Sequence, residues 1–507
     1  MKPSSIFHLQ RSLIHIGFFL GALIISMIAI AKSNYPMLAG LILVLFLPTL
    51  IQSPSWLLIL VIALFGTEAT LPMLPASLSL HLALAAVLSL WLIVRNLILH
   101  SGTPVPQPSY AASNLFLFLY LVTLVLIMSV RGTGMRAFGS AEWGGGKYFL
   151  IFIASAFCWT APLKGLGPRQ WKWAVLLLTA GYVLPFVAQW LLSFSGGYFD
   201  ITDYIRPALT ESGATSLEGV DVQTSLIRVY PLAALGTAIG IAALMLLPVR
   251  MPQLLAIGLF LLVGLALVGL SGYRSHFLAL AGAITFYSFV FRENRSWVRH
   301  LFILLLIAIT LWSLLFLITP YLPALVQRTL SIIPGLGVAE TVQTDATNTI
   351  TWRFSLWRFS LLLGEQYRWL GRGFLFSPDE LPQFDYTTDM LYMYLRHNYH
   401  NGPLSLLIDT GIPGLVFCSG LFLSALVESR RLLGEIPSHT PFGRAYRVLF
   451  AYLVMQVLYF YLIIGDPVAA VTRILFTFTL MKVLVTSWRT PQAPAAPVAA
   501  AQGSRPF

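Results

Sequence analysis

Long apolar runs separated by short polar breaks dominate the chain. Many approach the twenty or so residues that a helix needs to cross a hydrocarbon core of ~30 Å. They predict spans at about 13–31, 37–51, 55–66, 79–99, 114–130, 147–161, 173–195, 228–248, 253–270, 276–291, 300–320, 403–428, 446–464 and 467–487. The runs at 37–51, 55–66 and 147–161 are short, and Pro48 and Pro54 suit a bent or re-entrant hairpin. No fixed-period repeat is visible. The expected fold class is therefore an all-α integral membrane protein, a polytopic bundle of about 12–14 transmembrane helices with a large helical periplasmic loop.

Polar residues fix the expected orientation. Lys164, Arg169, Lys172, Arg292, Arg295, Arg299, Arg430, Arg431, Arg444 and Arg447 fall in breaks on one side, the cytoplasmic side by the positive-inside rule. The two long breaks, 196–227 and 321–402, fall on the other side and hold twelve of the chain's 19 acidic residues. The expected organisation is an N-terminal transmembrane bundle at 1–320, with its outer loop at 196–227. A periplasmic catalytic loop follows at 321–402, then C-terminal transmembrane helices at 403–487. An Ala- and Pro-rich tail at 488–507 is expected to be disordered in the cytoplasm. Residues 13–31 lack a small-residue cleavage signal and read as a retained first span.

Composition agrees with the pattern and removes other classes. Hydrophobic residues make up 57% and charged residues 10% of the 507, with mean hydropathy +0.80, whereas about a quarter of an ordinary soluble chain is charged. The net charge of +12 sits in short loops, which speaks for lipid headgroups and against nucleic acid. Cys158 and Cys418, the only cysteines, both lie in apolar runs, so neither a disulfide framework nor a Cys-based metal site is available.

The candidate chemistry is concentrated in the second long break. Its cations are arginines, with no lysine. A planar, permanently charged fork suits phosphate oxygens, and it equally suits the local carboxylates. Thr347 or Asn348 is placed to cap a helix running to about Arg368 and ended by Gly371 and Gly373. On that helix Arg353 and Trp357 share a face, while Arg358 points elsewhere. His397 and His400 precede the span opened by Pro403 and share a face if that segment is helical. An imidazole with its ordinary pKa of ~6.5 can take a proton at neutral pH.

Several short patterns resemble the O-antigen ligase and O-antigen polymerase superfamily. They are Arg353-x-x-x-Trp357, Leu370-Gly-x-Gly-Phe374, His400-Asn401, and Asp409-x-Gly411-x-x-Gly414. Upstream, Leu270-Ser-Gly-Tyr273-Arg274-Ser275 resembles the family's Ser-Gly-x-Arg-Ser element, and Arg228-Val-Tyr-Pro fits another of its arginine positions. The resemblance covers roughly 220–430. Arg396-His397-Asn398 just upstream of His400-Asn401 leaves two alignments of the His-Asn pair open.

That resemblance implies a multi-pass protein of the bacterial inner membrane with its active site on the periplasmic side. Such enzymes take a glycan from undecaprenyl diphosphate and join it to an acceptor sugar hydroxyl. Ligases deliver it to lipid A-core, polymerases extend another lipid-linked glycan, and relatives glycosylate proteins. No metal and no cofactor is implied. The residues expected to act in catalysis are His400 as base and Arg353, Arg274 and Arg228 on the leaving diphosphate. His397, Asn401, Trp357, Arg358, Arg396 and Tyr273 are expected to bind substrate. A flippase of lipid-linked glycans is the alternative of another class, and it would want charges along a central path and inverted repeats. A metal-dependent oligosaccharyl transferase would want acids in the first outer loops, where 67–78 and 131–146 offer only Glu68 and Glu142.

Overall fold

The computed structural model describes residues 54–67, 79–99, 110–134, 144–185, 187, 229–248, 251–290, 297–375, 389–395, 397–463 and 465–490. Within them the regular secondary structure is helical, without a strand. The helices are α1 (Pro54–Phe65), α2 (Leu80–Leu99), α3 (Ala111–Arg131), α4 (Gly146–Thr160), α5 (Pro168–Gly181), α6 (Tyr230–Leu246), α7 (Met251–Leu270) and α8 (Arg274–Val290). They continue as α9 (Trp297–Ile318), α10 (Ala324–Leu330), α11 (Glu340–Gly364), α12 (Asp389–Leu395), α13 (Gly402–Leu432), α14 (Pro441–Leu462) and α15 (Pro467–Arg489). Among the described residues, seven segments are long and apolar enough to cross a membrane, those built on α3, α4, α7, α9, α13, α14 and α15. The expected spans at 13–31 and 37–51, and the tail after Thr490, lie outside the described residues. The run at 55–66 becomes α1, whose 12 residues fall short of a bilayer crossing.

α15 is the post around which the bundle stands. It packs on α4, α13 and α14 and is buried along 89% of its apolar window, whereas α9 has none of its window buried. An all-round apolar helix with no protein cover is a lipid-facing one. Between lipid-immersed helices, close packing replaces the hydrophobic effect as the adhesive. α6 and α7 accordingly meet at Gly236 and Gly264, each lying against the other's carbonyl.

Polar groups sort to the two ends. At one end, Arg430 and Arg431 close α13. There Arg447 donates to the Leu433 and Ile436 carbonyls, at 3.1 and 2.9 Å, a basic side chain on the freed carbonyls of a helix C-terminus. Arg489 pairs with Glu435 at 2.6 Å, and Leu166 N–H donates to Ser487 Oγ at 2.7 Å, which brings the 164–169 turn to the same end. The 164–169 turn and the Arg430–Arg447 break, two of the basic breaks predicted to share a side, thus share an end of the bundle, while Arg292 and Arg295 lie outside the described residues. Glu428, also near this end, accepts from the Ala112 and Ser113 N–H groups and so caps α3.

At the opposite end α10, α11 and α12 form a platform over the bundle. α11 begins at Glu340, not at the Thr347 or Asn348 cap that the residue types suggested. Thr347 instead donates to Gln343 O at 3.1 Å inside the helix, as Thr344 does to Glu340 O and Thr349 to Asp345 O. A hydroxyl that satisfies the carbonyl one turn back leaves no reason for the helix to start there. The extension carries Val342 and Asp345 into buried positions.

Candidate active site

α11 is anchored first by Asp345. This buried carboxylate pairs with Arg274 Nη2 at 2.8 Å and Arg328 Nε at 2.9 Å. Arg274 Nε also donates to Arg328 O, and Arg328 Nη1 donates to Gly272 O at 2.6 Å. One acid and two arginines therefore lock α10 and α11 to the start of α8. A buried carboxylate is tolerated because both its oxygens are engaged by cations. Trp352 stands seven residues on, ~10 Å along nearly the same helix face. Its ring meets the His400 ring edge-on at 5.5 Å. One face of α11 thus spans from Arg274 to His400, with Arg353 next in sequence to Trp352.

Residues 397–400 are not helical. His397 (φ 64°) and His400 (φ 51°) both occupy the left-handed region, which is strained for residues with a Cβ. Their rings consequently do not share a face. The His397 ring is fully buried, with Nδ1 2.7 Å from Asp409 Oδ1 and Nε2 3.3 Å from Leu375 O. Burial pushes its pKa down to about 4, with Asp409 pulling the other way, so at neutral pH it carries one N–H. The shorter contact to a charged acceptor assigns that proton to Nδ1. Tyr399 donates from its hydroxyl to the same Asp409 oxygen at 2.9 Å, and burial raises its pKa well above 10. Its carbonyl accepts from Trp357 Nε1 at 2.9 Å. The loop is thereby tied inward on the N-terminal side of His400. His400 itself stays half-exposed, its backbone resting on Gly465 just ahead of α15.

Below the loop, α13 is broken. Gly411 has φ 70° and ψ −176° inside the helix, and Pro413 follows. Breaking a membrane helix frees backbone groups that lipid cannot satisfy. The segment after α11 supplies the missing partners. Arg372 N–H donates to Ile408 O at 2.7 Å, Gly373 N–H to Asp409 O at 2.9 Å, and Ile412 N–H to Arg368 O at 2.8 Å. Contact this close requires Gly371 (φ 72°) and Gly411, since a Cβ at Gly371 would lie 2.4 Å from Asp409 O and one at Gly411 2.6 Å from Trp369 O. Leu370-Gly-Arg-Gly and Asp409-Thr-Gly-Ile-Pro-Gly are two halves of one backbone joint. Arg131 and Tyr148 hold its far side, by Arg131 Nε to Gly371 O at 3.2 Å and Phe374 N–H to Tyr148 Oη at 3.1 Å. Arg372 lies over the Tyr394 ring at 4.7 Å and close enough to Asp409 to feel its charge. Among the described residues Asp409 Oδ2 has no hydrogen-bond partner.

Of the residues predicted to act, His400, Trp357 and Asn401 come together at the loop, with half-buried Arg353 on the helix beside it. Asn401 turns out to cap α13, accepting from Leu404 N–H at 3.0 Å. His397, expected to bind substrate, points inward, with Nδ1 on Asp409 Oδ1 and Nε2 facing Leu375 O. Arg358 is exposed on another face. Arg274 is held by Asp345, and the Tyr273 ring packs edge-on against Tyr230 and His276. Arg228 and Arg396 lie outside the described residues. Sequence reasoning missed Asp345, Arg328 and Arg372, whose partners are remote in sequence. It also passed over Arg473, a cation inside an apolar run, which is a signal in its own right.

Residues 257–419, about a third of the chain, match the family model described as O-antigen ligase. That segment runs from α7 through the joint in α13 and includes His397, His400, Asp345 and Arg353. No curated protein matches the chain.

Proposed function

We propose, from the membership of residues 257–419 in the O-antigen ligase and polymerase superfamily, that this glycosyltransferase-type protein uses His400 as the base of its reaction. The donor is a glycan on a polyprenyl diphosphate, undecaprenyl diphosphate in bacteria, and the acceptor is a sugar hydroxyl of lipid A-core or of a second lipid-linked glycan. The acceptor oxygen attacks the anomeric carbon, its proton passes to the His400 imidazole, and the bond from that carbon to the diphosphate oxygen breaks. The diphosphate departs with the electron pair. Positioned guanidinium groups stabilise that developing charge better than the ground state, which is what accelerates the step. Arg353 is the first candidate, with Arg274, already paired with Asp345, and Arg228 completing the set. The reaction is placed on the periplasmic face of the inner membrane and needs no metal.

His400 carries most of the weight. In a loop whose other side chains turn inward, its imidazole is the one left half-exposed, stacked edge-on against the helix that presents Arg353. The test uses purified full-length protein, a diphosphate-linked donor and an acceptor in the presence of chelator. His400→Ala is expected to abolish transfer while the protein remains folded in the membrane. Near-normal turnover by that variant removes His400 from the mechanism, and loss of wild-type activity in chelator removes the metal-free step.

A further inference from the structure

His400 and Arg274 are joined by two separate routes. The first runs through the platform, from the His400 ring to Trp352, then along α11 to Asp345 and so to Arg274. The second runs through the membrane bundle. The His400 backbone lies on Gly465, so closely that no room is left for a Cβ there. Further down α15, Arg473 Nη2 donates to Tyr230 Oη at 3.1 Å. The Tyr230 ring packs edge-on against Tyr273 and His276, with centroids 5.6 and 5.4 Å away. The neighbouring Val229 N–H donates to Ser271 O at 3.0 Å. Tyr273 precedes Arg274 in the chain. These contacts close a ring, with α11 and α15 as its two rails.

The rails match in length. Asp345 to Trp352 covers ~10 Å of rise along α11, and Pro467 to Arg473 covers ~9 Å along α15. The end of the second rail is costly to build. α15 is an apolar span buried in the bundle, and a cation there needs a partner or water beside it. Arg473 lines a cavity of about 100 Å³ together with Tyr230, Thr237 and His276, roomy enough for water. A guanidinium holds its donors in fixed directions, so its bond to the Tyr230 hydroxyl sets the start of α6 relative to α15. Tyr230 and Arg473 both lie outside the segment that matches the ligase family.

We propose that Arg473 and Tyr230 are positioning residues, which hold the Tyr273-Arg274 corner at a fixed separation from the His400 loop. The inference rests on reading His400 as the base and Arg274 as a cation on the leaving diphosphate. Neither Arg473 nor Tyr230 meets the reacting atoms. With the platform route alone, α11 is free to tilt and carry Arg274 with it; the route through α15 removes that freedom. A displacement of about 1 Å at a catalytic group costs up to ~100-fold in rate, so a hydrogen bond remote from the chemistry controls turnover.

The test compares wild type with Tyr230→Phe, Arg473→Lys, Arg473→Gln and the Tyr230→Phe/Arg473→Gln double variant. Each is purified at full length in nanodiscs and supplied with a diphosphate-linked donor and a glycan acceptor. Arg473→Gln and Tyr230→Phe are each expected to lower kcat about tenfold and to change the donor KM by less than about threefold. The double variant is expected to be no slower than Arg473→Gln, because both substitutions remove one shared bond. Arg473→Lys keeps a donor and should recover part of the loss. Hydrogen–deuterium exchange of the peptide covering 271–275 should quicken in Arg473→Gln and return towards wild type in Arg473→Lys. Undiminished kcat per folded molecule in Arg473→Gln, even with lowered thermal stability, overturns the inference and leaves the transferase reading standing. Additive losses in the double variant, or a change confined to KM, overturn it as well. If wild type transfers no glycan, the transferase reading falls, and unchanged exchange at 271–275 in Arg473→Gln would then break the ring itself.

Discussion

His397 and His400 are two histidines of one short loop with opposite surroundings, and the difference decides which can exchange a proton with substrate. Burial holds the His397 pKa near 4, so its ring is neutral at pH 7 and its one proton faces Asp409. The unfolded chain would take a proton at its ordinary value of 6.5, so between those two values the unfolded state binds more protons. Stability should therefore fall as pH drops from 6.5 towards 4. Melting temperatures of the purified protein over that window should show the fall, and His397→Gln should flatten its slope. Asp409→Asn removes the charged acceptor shared by His397 and Tyr399. It should lower stability by about 1.5–3 kcal/mol and reduce transfer with it, whereas unchanged melting would mean the carboxylate does not hold the loop. Arg353→Lys keeps the charge and loses the fork. Transfer should drop by about tenfold or more with folding intact, and equal turnover would reduce this position to a point charge.

Among the elements, the joint in α13 is where local pattern and structure diverge most. Gly371, Gly373, Gly411 and Gly414 were visible as short motifs, and Asp409 with them, yet nothing in their spacing says that two segments some forty residues apart exchange backbone hydrogen bonds. Periodicity reports one helix at a time, so the helices were legible and their mutual repair was not. The α11 start failed for a related reason. Thr347 and Asn348 look like caps in isolation, but Asp345 is fixed by Arg274 and Arg328, 71 and 17 residues away, and drags the helix start back to Glu340. The joint is testable. Gly411→Ala forces a Cβ into the left-handed region, which alone costs about 1–3 kcal/mol, and into the Trp369 carbonyl. Folded yield in the membrane should drop sharply, while Gly434→Ala, with nothing within 4 Å of the added carbon, should express as wild type. Similar yields for the two would show that the break in α13 is not needed.

At the scale of the whole molecule, the hydropathy pattern made an all-α membrane bundle legible, because crossing a bilayer constrains every residue of a span at once. It also assigned the basic breaks to one side, and the structure gathers those it describes at the end away from His400. The sequence pattern carried less about depth: Arg473 vanished into the average of its apolar run, although the fold gives it a cavity. Charge bias predicts that the platform end faces the periplasm, and the proposed transfer requires it. Both native cysteines, Cys158 and Cys418, are buried, so an introduced thiol can be labelled over a low background. Glu365, 68% exposed on the platform, and Gly434, in the turn after α13, probe the two ends. In intact spheroplasts a membrane-impermeant maleimide should label Glu365→Cys, and it should reach Gly434→Cys only after permeabilisation. The reverse order would turn the platform to the cytoplasm, where charge bias forbids it, and would leave His400 on the wrong side of the membrane for a periplasmic transfer.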